Sequence, residues 1–391
     1  MITGSGIEGN AAVDAARDGG TTGAESVRPV TIVDCDVHVV PSPDEVREFM
    51  PDQFRGPWLD HLTMGLSGIY ATPNPLAGMR EDSVPTGGGA PGTDPALLEK
   101  QLFVDAGVDI AVLLPVGTPG TADPRHDAGL RAARNAWLAE TWLGRYNQHG
   151  RFRGSICVSA TDTDLAVAEI EKWAGHEGFV QVLLDPYLIN PPLGDPRYRK
   201  LHDAAARHGL PIALHIARTP GMANLTPMGF GSYYSEIHPL YSFVYMPHLV
   251  SFIAEGVFDR YPDLTLVLVE GGVSWVGPVV DRLQGIYRTF PAELPRLQRP
   301  ARDYLASNVR VTTQPIEEPA RAADLHLYLD WMSAGETLMF SSDYPHWDFD
   351  DPSFVAARLP ASIRSSVMYG NASRLYRLPD HIRVPSNESA R

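Results

Sequence analysis

From residue 30 onward the sequence alternates between short apolar segments and longer amphipathic ones, and this alternation limits the possible folds more than any other feature. Each apolar segment is rich in β-branched residues and is closed by Gly, Pro or Asp, as is typical of buried parallel strands. Eight such segments alternate with helical patterns, and eight strands close a (β/α)₈ TIM barrel. The predicted strands are 30–38, 108–115, 151–158, 178–184, 210–216, 264–272, 308–315 and 337–345.

The helical segments carry start and stop signals as well as apolar periodicity. The segment that begins at Asp94-Pro95 has an N-cap aspartate followed by proline at the first helical position, and it ends at Gly107. The pattern predicts helices over 95–107, 124–149, 162–175, 195–208, 240–256, 274–290 and 317–332. We therefore predict one barrel domain, without internal repeats or an interdomain linker.

Two long segments interrupt the alternation. Residues 39–94 hold eight prolines and a GGG run, and residues 217–239 are rich in Gly, Pro, Met and Tyr. Both follow the carboxyl ends of predicted strands, so in a barrel they would overhang the face that carries the active site. The predicted barrel domain covers residues 30–378, between a disordered N-terminal tail (1–29) and a short C-terminal tail (379–391).

Charge and cysteine content argue against several classes of protein. A formal net charge of −15 disfavours nucleic acid or an anionic membrane as a partner, because both favour a basic face. No apolar run approaches the roughly 18 residues of a membrane-spanning helix, and the N-terminus lacks the apolar core of a secretory signal. The two cysteines, Cys35 and Cys157, form neither a disulfide framework nor a CxxC metal site. We expect a cytoplasmic protein that binds a small molecule.

The first predicted strand ends in the sequence VDCDVH, which is unusually polar for a barrel strand. Because side chains alternate across a strand, Asp34, Asp36 and His38 are expected on one face. Cys35 and Val37 then take the other face. Two carboxylates and an imidazole inside a barrel are costly unless they are paired or bound to a metal. Ordinary hydrogen bonding at a polar strand end explains the same pattern, so this motif does not decide alone.

Two further strand ends carry candidate ligands. His215 ends the apolar segment LPIALHI, directly before the second long insertion. Asp343 ends the apolar segment TLMFSSD, ahead of a Tyr-Pro turn. Taken singly, the histidine is more often a satisfied core residue, and the aspartate is equally explained as a turn or helix cap.

Together the three groups predict a metal site. They fall at the ends of the first, fifth and last predicted strands, on the face where such barrels place their chemistry. Mixed histidine and carboxylate ligands suit zinc, manganese or iron. We expect one divalent ion, with Zn²⁺ preferred and Mn²⁺ or Fe²⁺ as alternatives. Such an ion polarises a substrate oxygen or lowers the pKa of bound water toward about 7.

The ensemble resembles the amidohydrolase-related proteins of the aminocarboxymuconate-semialdehyde decarboxylase type. The resemblance covers roughly residues 30–378 and includes the phrases GVFDRYPDLTLVLVEGG and MYGNASRLY. Members of that family have a D-x-H-x-H first strand, a histidine that ends the fifth strand and a GSDYPH-like last strand. When this chain is matched on Asp34, the first ligand histidine is replaced by Asp36, a departure that some decarboxylases of the family share.

The resemblance implies a role for each matching residue. The implied metal ligands are Asp36, His38, His215 and Asp343, with Asp343 also a candidate base. His248, in MPHLVSFIAEGVFDRYP, matches the histidine that family mechanisms use as acid and base beside the metal. Glu270 stands where many relatives have the histidine of an HGG turn. It is interpreted either as an outer residue that orients His248 or His215, or as a simple strand-end carboxylate.

Three functions are compatible with these residues. The first is hydrolysis of a small, carboxylated or aromatic substrate by metal-activated water, and this is the main expectation. The second is non-oxidative decarboxylation of an aromatic or enol carboxylic acid, toward which the carboxylate of Asp36 points. The third is a barrel that has lost catalysis and acts as a binding protein, which the retention of all four ligand types and of His248 disfavours.

The predicted rim of the barrel offers candidate substrate contacts, and the family resemblance suggests an assembly. Arg218, Tyr233, Tyr234 and Trp347 are candidates to shape a pocket for an aromatic or carboxylate substrate. A homodimer is expected from the resemblance and from the frequency of two-fold assemblies.

Overall fold

A closed parallel barrel organises the chain in the computed structural model, which describes residues 25–55, 78–116, 123–216 and 237–385. Strands β2 to β9 form one eight-stranded sheet in sequence order, each parallel to the next. The predicted α/β barrel is thus confirmed. In chain order the strands are β1 (Glu25–Pro29), β2 (Val33–Val39), β3 (Ile110–Pro115), β4 (Phe152–Cys157), β5 (Phe179–Leu184), β6 (Ile212–His215), β7 (Leu266–Val269), β8 (Val309–Thr312), β9 (Leu338–Met339) and β10 (His381–Pro385).

The barrel closes between its first and last strands, through hydrogen bonds that continue beyond β9. The Cys35 amide donates to the carbonyl of Phe340 at 3.0 Å, and the Asp343 amide donates to the carbonyl of Asp36 at 3.1 Å. The His38 amide completes the seam by donating to Tyr344 at 2.7 Å. The two polar strand ends recognised in the sequence therefore lie side by side.

Helices surround the sheet close to the predicted positions. Asp94, Asp123 and Asp162 cap three of them by accepting main-chain N–H groups of the first turn. Continuations of the helices over Glu99–Asp105, Leu138–Arg145 and Ser366–Gly370 are π-helical. The α-helices are α1 (Pro43–Phe49), α2 (Pro95–Leu98), α3 (Pro124–Trp137), α4 (Thr163–Trp173), α5 (Arg199–Arg207), α6 (Ile237–Leu240), α7 (Ser242–Ala254), α8 (Val257–Arg260), α9 (Val276–Thr289), α10 (Ala301–Asn308), α11 (Ala322–Trp331), α12 (Ala334–Thr337), α13 (Pro352–Arg358), α14 (Ala361–Ser365) and α15 (Asn371–Tyr376).

Two apolar layers share the strands. The outer layer packs strand side chains such as Leu113 and Leu214 against helical residues such as Leu138. The inner layer contains strand side chains such as Ile110 and Val267, together with residues of the C-terminal segment. Cys35 and Cys157 are both free thiols buried in this inner layer. Among the described residues, no helix is long and apolar enough to cross a membrane.

The strict alternation predicted for the first strand is wrong at one point. Cys35 packs in the inner layer, whereas Val37 packs in the outer layer. The cause is a register shift between Asp34 and Val37 in the pairing of β2 with β3. A bulge of this kind inserts a residue and turns the following side chains to the other face.

Ordered structure extends past both predicted ends of the barrel domain. β1 and β10 pair antiparallel, so residues 25–29 and 381–385 form a two-stranded sheet. Arg28 in β1 makes an ion pair of 2.6 Å with the buried Asp109, whose other oxygen accepts from the Thr31 amide. The flanks adjoining residues 30–378 are therefore part of the fold. Residues 1–24 and 386–391 lie outside the described residues.

The first long insertion returns across the carboxyl end of the barrel, as predicted. The amide of Val40 donates to Gly92 at 3.1 Å, which ties the start of the insertion to its end. The Arg80 amide donates to Pro345 at 2.9 Å, and the Trp347 amide donates to Gly78 at 2.8 Å. The described part of this insertion is thus fastened to the loop that follows Asp343. Most of the second insertion, residues 217–236, lies outside the described residues.

Candidate metal centre

The first barrel strand places two side chains at the carboxyl end of the barrel. Asp36 and His38 are both completely buried. His38 Nδ1 lies 3.2 Å from the carbonyl of Leu114, so an N–H on Nδ1 donates there and Nε2 faces the site. His38 Nε2 is 3.5 Å from Asp36 Oδ1. Neither oxygen of Asp36 has a hydrogen-bond partner.

The leading aspartate of the motif has a different role. Asp34 accepts the amide of Ser342 at 3.0 Å and the hydroxyl of Ser342 at 2.5 Å. It also accepts the amide of Asp36 at 3.2 Å. Burial raises the pKa of Asp34 to about 7, against the effect of these donors. Asp34 therefore fastens β2 to the segment after β9 and holds the motif in shape.

The fifth barrel strand contributes His215, the last residue of β6. Its Nε2 lies 3.6 Å from Asp36 Oδ1 and 3.1 Å from Glu270 Oε2. Neither approach has hydrogen-bond geometry, so this buried nitrogen has no hydrogen-bond partner. Its lone pair is available to an electrophile placed between the two strands.

Asp343 follows the last barrel strand and sits in a strained backbone conformation, with φ of 60°. Its Oδ1 lies 2.8 Å from His38 Nε2 and 2.6 Å from His346 Nδ1. Its Oδ2 is buried without a hydrogen-bond partner. The left-handed turn at Asp343 ends the strand and directs this carboxylate toward the first strand.

These side chains fit a divalent metal ion. Single ligand atoms of Asp36, His38, His215 and Glu270 lie within 4.8 Å of one another. Ligand atoms sit about 2.0–2.2 Å from such an ion, so atoms this close can share one. The unpartnered oxygens of Asp36 and the unpartnered nitrogen of His215 are the atoms that such an ion would satisfy. The residues form a divalent metal site.

A second group of possible ligands overlaps the first. Ligand atoms of His38, Asp343 and His346 also lie within 4.8 Å of one another. The ring centroids of His38 and His346 are 4.8 Å apart. The structure thus brings together the four ligands predicted from the sequence and adds Glu270 and His346 to them.

Burial and mutual interaction shift the pKa values of the carboxylates and histidines of this site. Burial raises the pKa of Asp36 well above its usual range, and the neighbouring carboxylate of Asp343 adds to this shift. Burial lowers the pKa of His215, and His38 lowers it further. Burial would also lower the pKa of His38, but Asp36 and Asp343 raise it to about 9. Burial opposes ionisation of Asp343, yet His346 and His38 hold its pKa low.

Glu270 is closer to the centre than an outer orienting role requires. It follows β7, is buried, and has φ of 60°. Its amide donates to Thr312 Oγ1 at 3.0 Å, which fixes the strained turn. The carboxylate approaches His215 and not His248, so the structure favours the interpretation in which Glu270 acts beside His215.

Tyr245 was not recognised in the sequence, although it shapes the same wall. Its buried hydroxyl accepts the amide of Ile216 at 2.8 Å and donates to the carbonyl of Val269. It therefore bridges the ends of β6 and β7, between His215 and Glu270. The ring packs so tightly on Gly271 that a Cβ there would lie 3.1 Å from Cδ2 of the ring. No sequence signal marks this tyrosine, because its partners are more than twenty residues away.

His248 lies in α7 and belongs to neither ligand group. Its Nδ1 accepts the amide of Leu193 at 3.0 Å, and its Nε2 lies 3.2 Å from the carbonyl of Pro186. Burial lowers the pKa of His248 to about 4. Both nitrogens are thus engaged by main chain and tie α7 to the loop after β5. The acid/base role of His248 stays a prediction.

The predicted rim residues are only partly placed. Arg218, Tyr233 and Tyr234 lie outside the described residues. Trp347 is 53% exposed and sits on the loop after Asp343, where its main chain bonds to the first insertion. Its position at the rim agrees with the prediction, and a substrate contact remains a hypothesis.

Comparison with known proteins places the chain among amidohydrolases. The sequence model of the family described as Amidohydrolase matches residues 33–378. A γ-resorcylate decarboxylase of Rhodococcus jostii (strain RHA1) is 26% identical over 285 residues, which cover 68% of this chain and 83% of the relative. Another similar protein, Decarboxylase orsB of Emericella nidulans, is 25% identical over 249 residues, or 61% of this chain and 70% of that protein.

Solved structures show the same fold. The 5-carboxyvanillate decarboxylase of Novosphingobium aromaticivorans, with bound manganese, has a TM-score of 0.64 and 18% identity, covering 89% of this chain and 97% of that one. A 2,6-dihydroxybenzoate decarboxylase complexed with 2,6-dihydroxybenzoate has a TM-score of 0.61 and 20% identity, covering 89% and 100%. At these identities the likeness establishes the barrel architecture.

Proposed function

The chain belongs to the amidohydrolase family, and within that family we propose that it is a metal-dependent, non-oxidative decarboxylase of a small hydroxylated aromatic acid. The sequence alone favoured hydrolysis and kept decarboxylation as the alternative. The observation that carries the proposal is the buried, unpartnered carboxylate of Asp36 at the first ligand position. Similarity to γ-resorcylate decarboxylases supports the same choice.

The proposed ligands are Asp36, His38 and His215, with Asp343 or Glu270 as a further carboxylate. A divalent ion held there would act as a Lewis acid that draws charge from the oxygens of the substrate. Carboxylate and imidazole ligands suit Mn²⁺ as well as Zn²⁺. We favour Mn²⁺ over the Zn²⁺ expected from the sequence, because manganese is bound in the similar 5-carboxyvanillate decarboxylase.

The chemistry requires one bond to break and one to form. The bond between the ring carbon and the carboxyl carbon breaks, carbon dioxide leaves, and the ring carbon takes up a proton. We assign the transfer of this proton to Asp343, whose buried Oδ2 has no partner. Its ionised carboxylate would take up the proton of the substrate's carboxylic acid group and deliver it to the ring carbon, so that the acid is converted to the arene and carbon dioxide. His38 and His346 hold its Oδ1, so the orientation of the carboxylate is set. Burial of the ligand side chains keeps bulk water away from the reacting carbon.

A product assay tests the proposal directly. The Mn²⁺-loaded protein is incubated with 2,6-dihydroxybenzoate and 5-carboxyvanillate, and separately with an aryl amide and an aryl lactone. Carbon dioxide and hydrolysis products are measured independently. We expect carbon dioxide and the ring product without the carboxyl group in equal amounts, and no release after the metal is chelated. Hydrolysis of the amide or lactone without any carbon dioxide from the acids would overturn the proposal in favour of the hydrolase.

A further inference from the structure

Gln314 is a buried polar residue at the mouth of the barrel that the mechanism above does not use. It lies two residues beyond the end of β8 and is only 1% exposed. Its amide Nε2 donates to Asp348 Oδ2 at 2.7 Å, and its main-chain N–H donates to Ser341 Oγ at 2.9 Å. Its carbonyl Oε1 is buried and has no hydrogen-bond partner.

The neighbours of Gln314 settle which way its side-chain amide points. A carboxylate oxygen accepts hydrogen bonds, so the group that faces Asp348 must be the NH₂. The acceptor Oε1 is then directed elsewhere. The position is fixed further by Ser341, whose hydroxyl holds the main chain of Gln314. This orientation leaves the buried Oε1 of Gln314 without a hydrogen-bond donor.

Gln314 lies beside the candidate metal centre. β8 pairs with β7 on one side and with β9 on the other, and these strands lead to Glu270 and Asp343. The Glu270 amide donates to Thr312, the last residue of β8. The Asp348 carboxylate is near enough to contribute to the raised pKa of Asp36. Gln314 therefore stands between the two strand ends that carry the carboxylates of the site.

A buried carbonyl oxygen without a partner is unfavourable, because it has lost its hydrogen bonds to water and has formed none within the protein. Such an atom is satisfied by a hydrogen-bond donor that arrives with a ligand. We propose that Gln314 Oε1 accepts a hydrogen bond from a hydroxyl group on the ring of the bound substrate. This specificity role rests on the proposed decarboxylase function.

The charge around Gln314 determines which part of the substrate it can bind. Asp348, Asp343 and Glu270 repel the carboxylate of an aromatic acid from this side. The Gln314 Oε1 atom only accepts hydrogen bonds, so it cannot form one with the ionised carboxylate. The hydroxyl is the part of a hydroxylated acid that both donates a hydrogen bond and carries no charge, so the ring orients with its hydroxyl toward Gln314.

Binding of a matched pair of ligands tests the proposal. The pair is 2-hydroxybenzoate and 2-fluorobenzoate, in which fluorine replaces the single ring hydroxyl donor at nearly equal size. Dissociation constants are measured by calorimetry on the metal-loaded wild type and on Gln314→Met. We expect the wild type to prefer the hydroxy acid by about tenfold, the worth of one hydrogen bond, and Gln314→Met to bind both equally.

The chain offers a matched control in Gln181→Met. Gln181 is also a buried glutamine, but both ends of its amide are paired, with Ser155 and Tyr376. Gln181→Met should keep the tenfold preference. Gln314→Ala provides a second variant in case methionine disturbs the fold, and it should also lose the preference.

The possible outcomes distinguish failure of the Gln314 assignment from failure of the proposed decarboxylase function. If the wild type releases carbon dioxide from 2,6-dihydroxybenzoate and Gln314→Met keeps the preference, the assignment of Gln314 is overturned and the decarboxylase function stands. Absence of carbon dioxide release from any hydroxylated acid would overturn both.

Discussion

Two groups of buried polar side chains lie within the barrel, and they differ in how their hydrogen-bonding capacity is used. In mid-strand, Gln181 donates to Ser155 Oγ at 2.9 Å and accepts the hydroxyl of Tyr376 at 2.8 Å. This group is complete in itself. At the carboxyl ends of the strands, buried atoms of Asp36, His215, Asp343 and Gln314 have no partner.

This difference in hydrogen bonding indicates where the fold binds a ligand. The barrel can satisfy polar groups in its interior, as the mid-strand group demonstrates. Each unpartnered buried group costs folding about 1–3 kcal/mol, so several at one place are retained only when a ligand completes them. A metal ion offsets that cost when it binds, because its ligands are already assembled. The paired group stabilises the protein, whereas the unpaired group is expected to carry its chemistry.

The largest effect is expected from removing a nitrogen ligand. His215→Ala deletes the unpartnered Nε2 at the end of β6, and we expect most metal to be lost. Turnover should fall by more than the 10–100-fold that follows loss of an outer partner of a metal ligand. Elemental analysis measures the metal content and a steady-state assay measures turnover. Circular dichroism checks that the fold survives the substitution. A variant that keeps full metal occupancy would show that the ligand set is wrong.

The opposite pattern is expected in the paired group. Tyr376→Phe removes the hydroxyl that satisfies Gln181 Oε1, and leaves that oxygen buried without a partner. The free energy of unfolding should fall by about 1–3 kcal/mol, while metal content and kcat stay near those of the wild type. Chemical denaturation and a steady-state assay provide the measurements. A large loss of kcat at unchanged stability would erase the distinction between the two groups.

His248 tests the same distinction, because it was predicted to be catalytic and is found fully bonded. His248→Gln can still accept from Leu193 and donate to Pro186, so we expect metal content to be unchanged and kcat to change by less than about threefold. A fall of about 10²–10⁴, the usual worth of a positioned proton donor, would return His248 to the mechanism and contradict its assignment as a structural residue.

The smallest effect concerns pH. Burial holds the pKa of His248 at about 4, below its usual value of 6.5. Between these values the unfolded chain binds a proton that the folded chain does not, so stability falls as the pH drops from 6.5 toward 4. His248→Gln lacks this contribution. Its melting temperature should therefore decrease less than that of the wild type between pH 7 and pH 4, and an equal decrease would count against burial as the cause.

Much of the fold was predictable because its signals are local. Strands such as Ile110–Pro115 are apolar, short and bounded by turn residues, and capping aspartates such as Asp123 mark helix starts. The flanking pair of strands was missed, since residues 25–29 and 381–385 recognise each other across the whole chain. The bulge at Asp34–Val37 was missed because pairing with β3, and not the strand's own sequence, shifts the register.

The candidate site was predictable to the extent that strand ends define it. Asp36, His38, His215 and Asp343 end or follow strands, so a barrel brings them together wherever the loops go. His346 joins them only because the left-handed turn at Asp343 folds the chain back, with φ of 60°. The bonding of His248 could not be predicted, because its partners are main-chain groups 55 and 62 residues away. The homodimer remains a prediction from the family resemblance.

The position of the bound ion tests the central claim most directly. Crystals of the Mn²⁺-loaded protein, measured at the manganese absorption edge, locate the ion by its anomalous scattering. We expect one strong peak bonded to Asp36, His38 Nε2 and His215 Nε2, with Asp343 or Glu270 completing the carboxylate ligands. A peak bonded to other residues, or none at the carboxyl ends of these strands in protein that releases carbon dioxide, would contradict it.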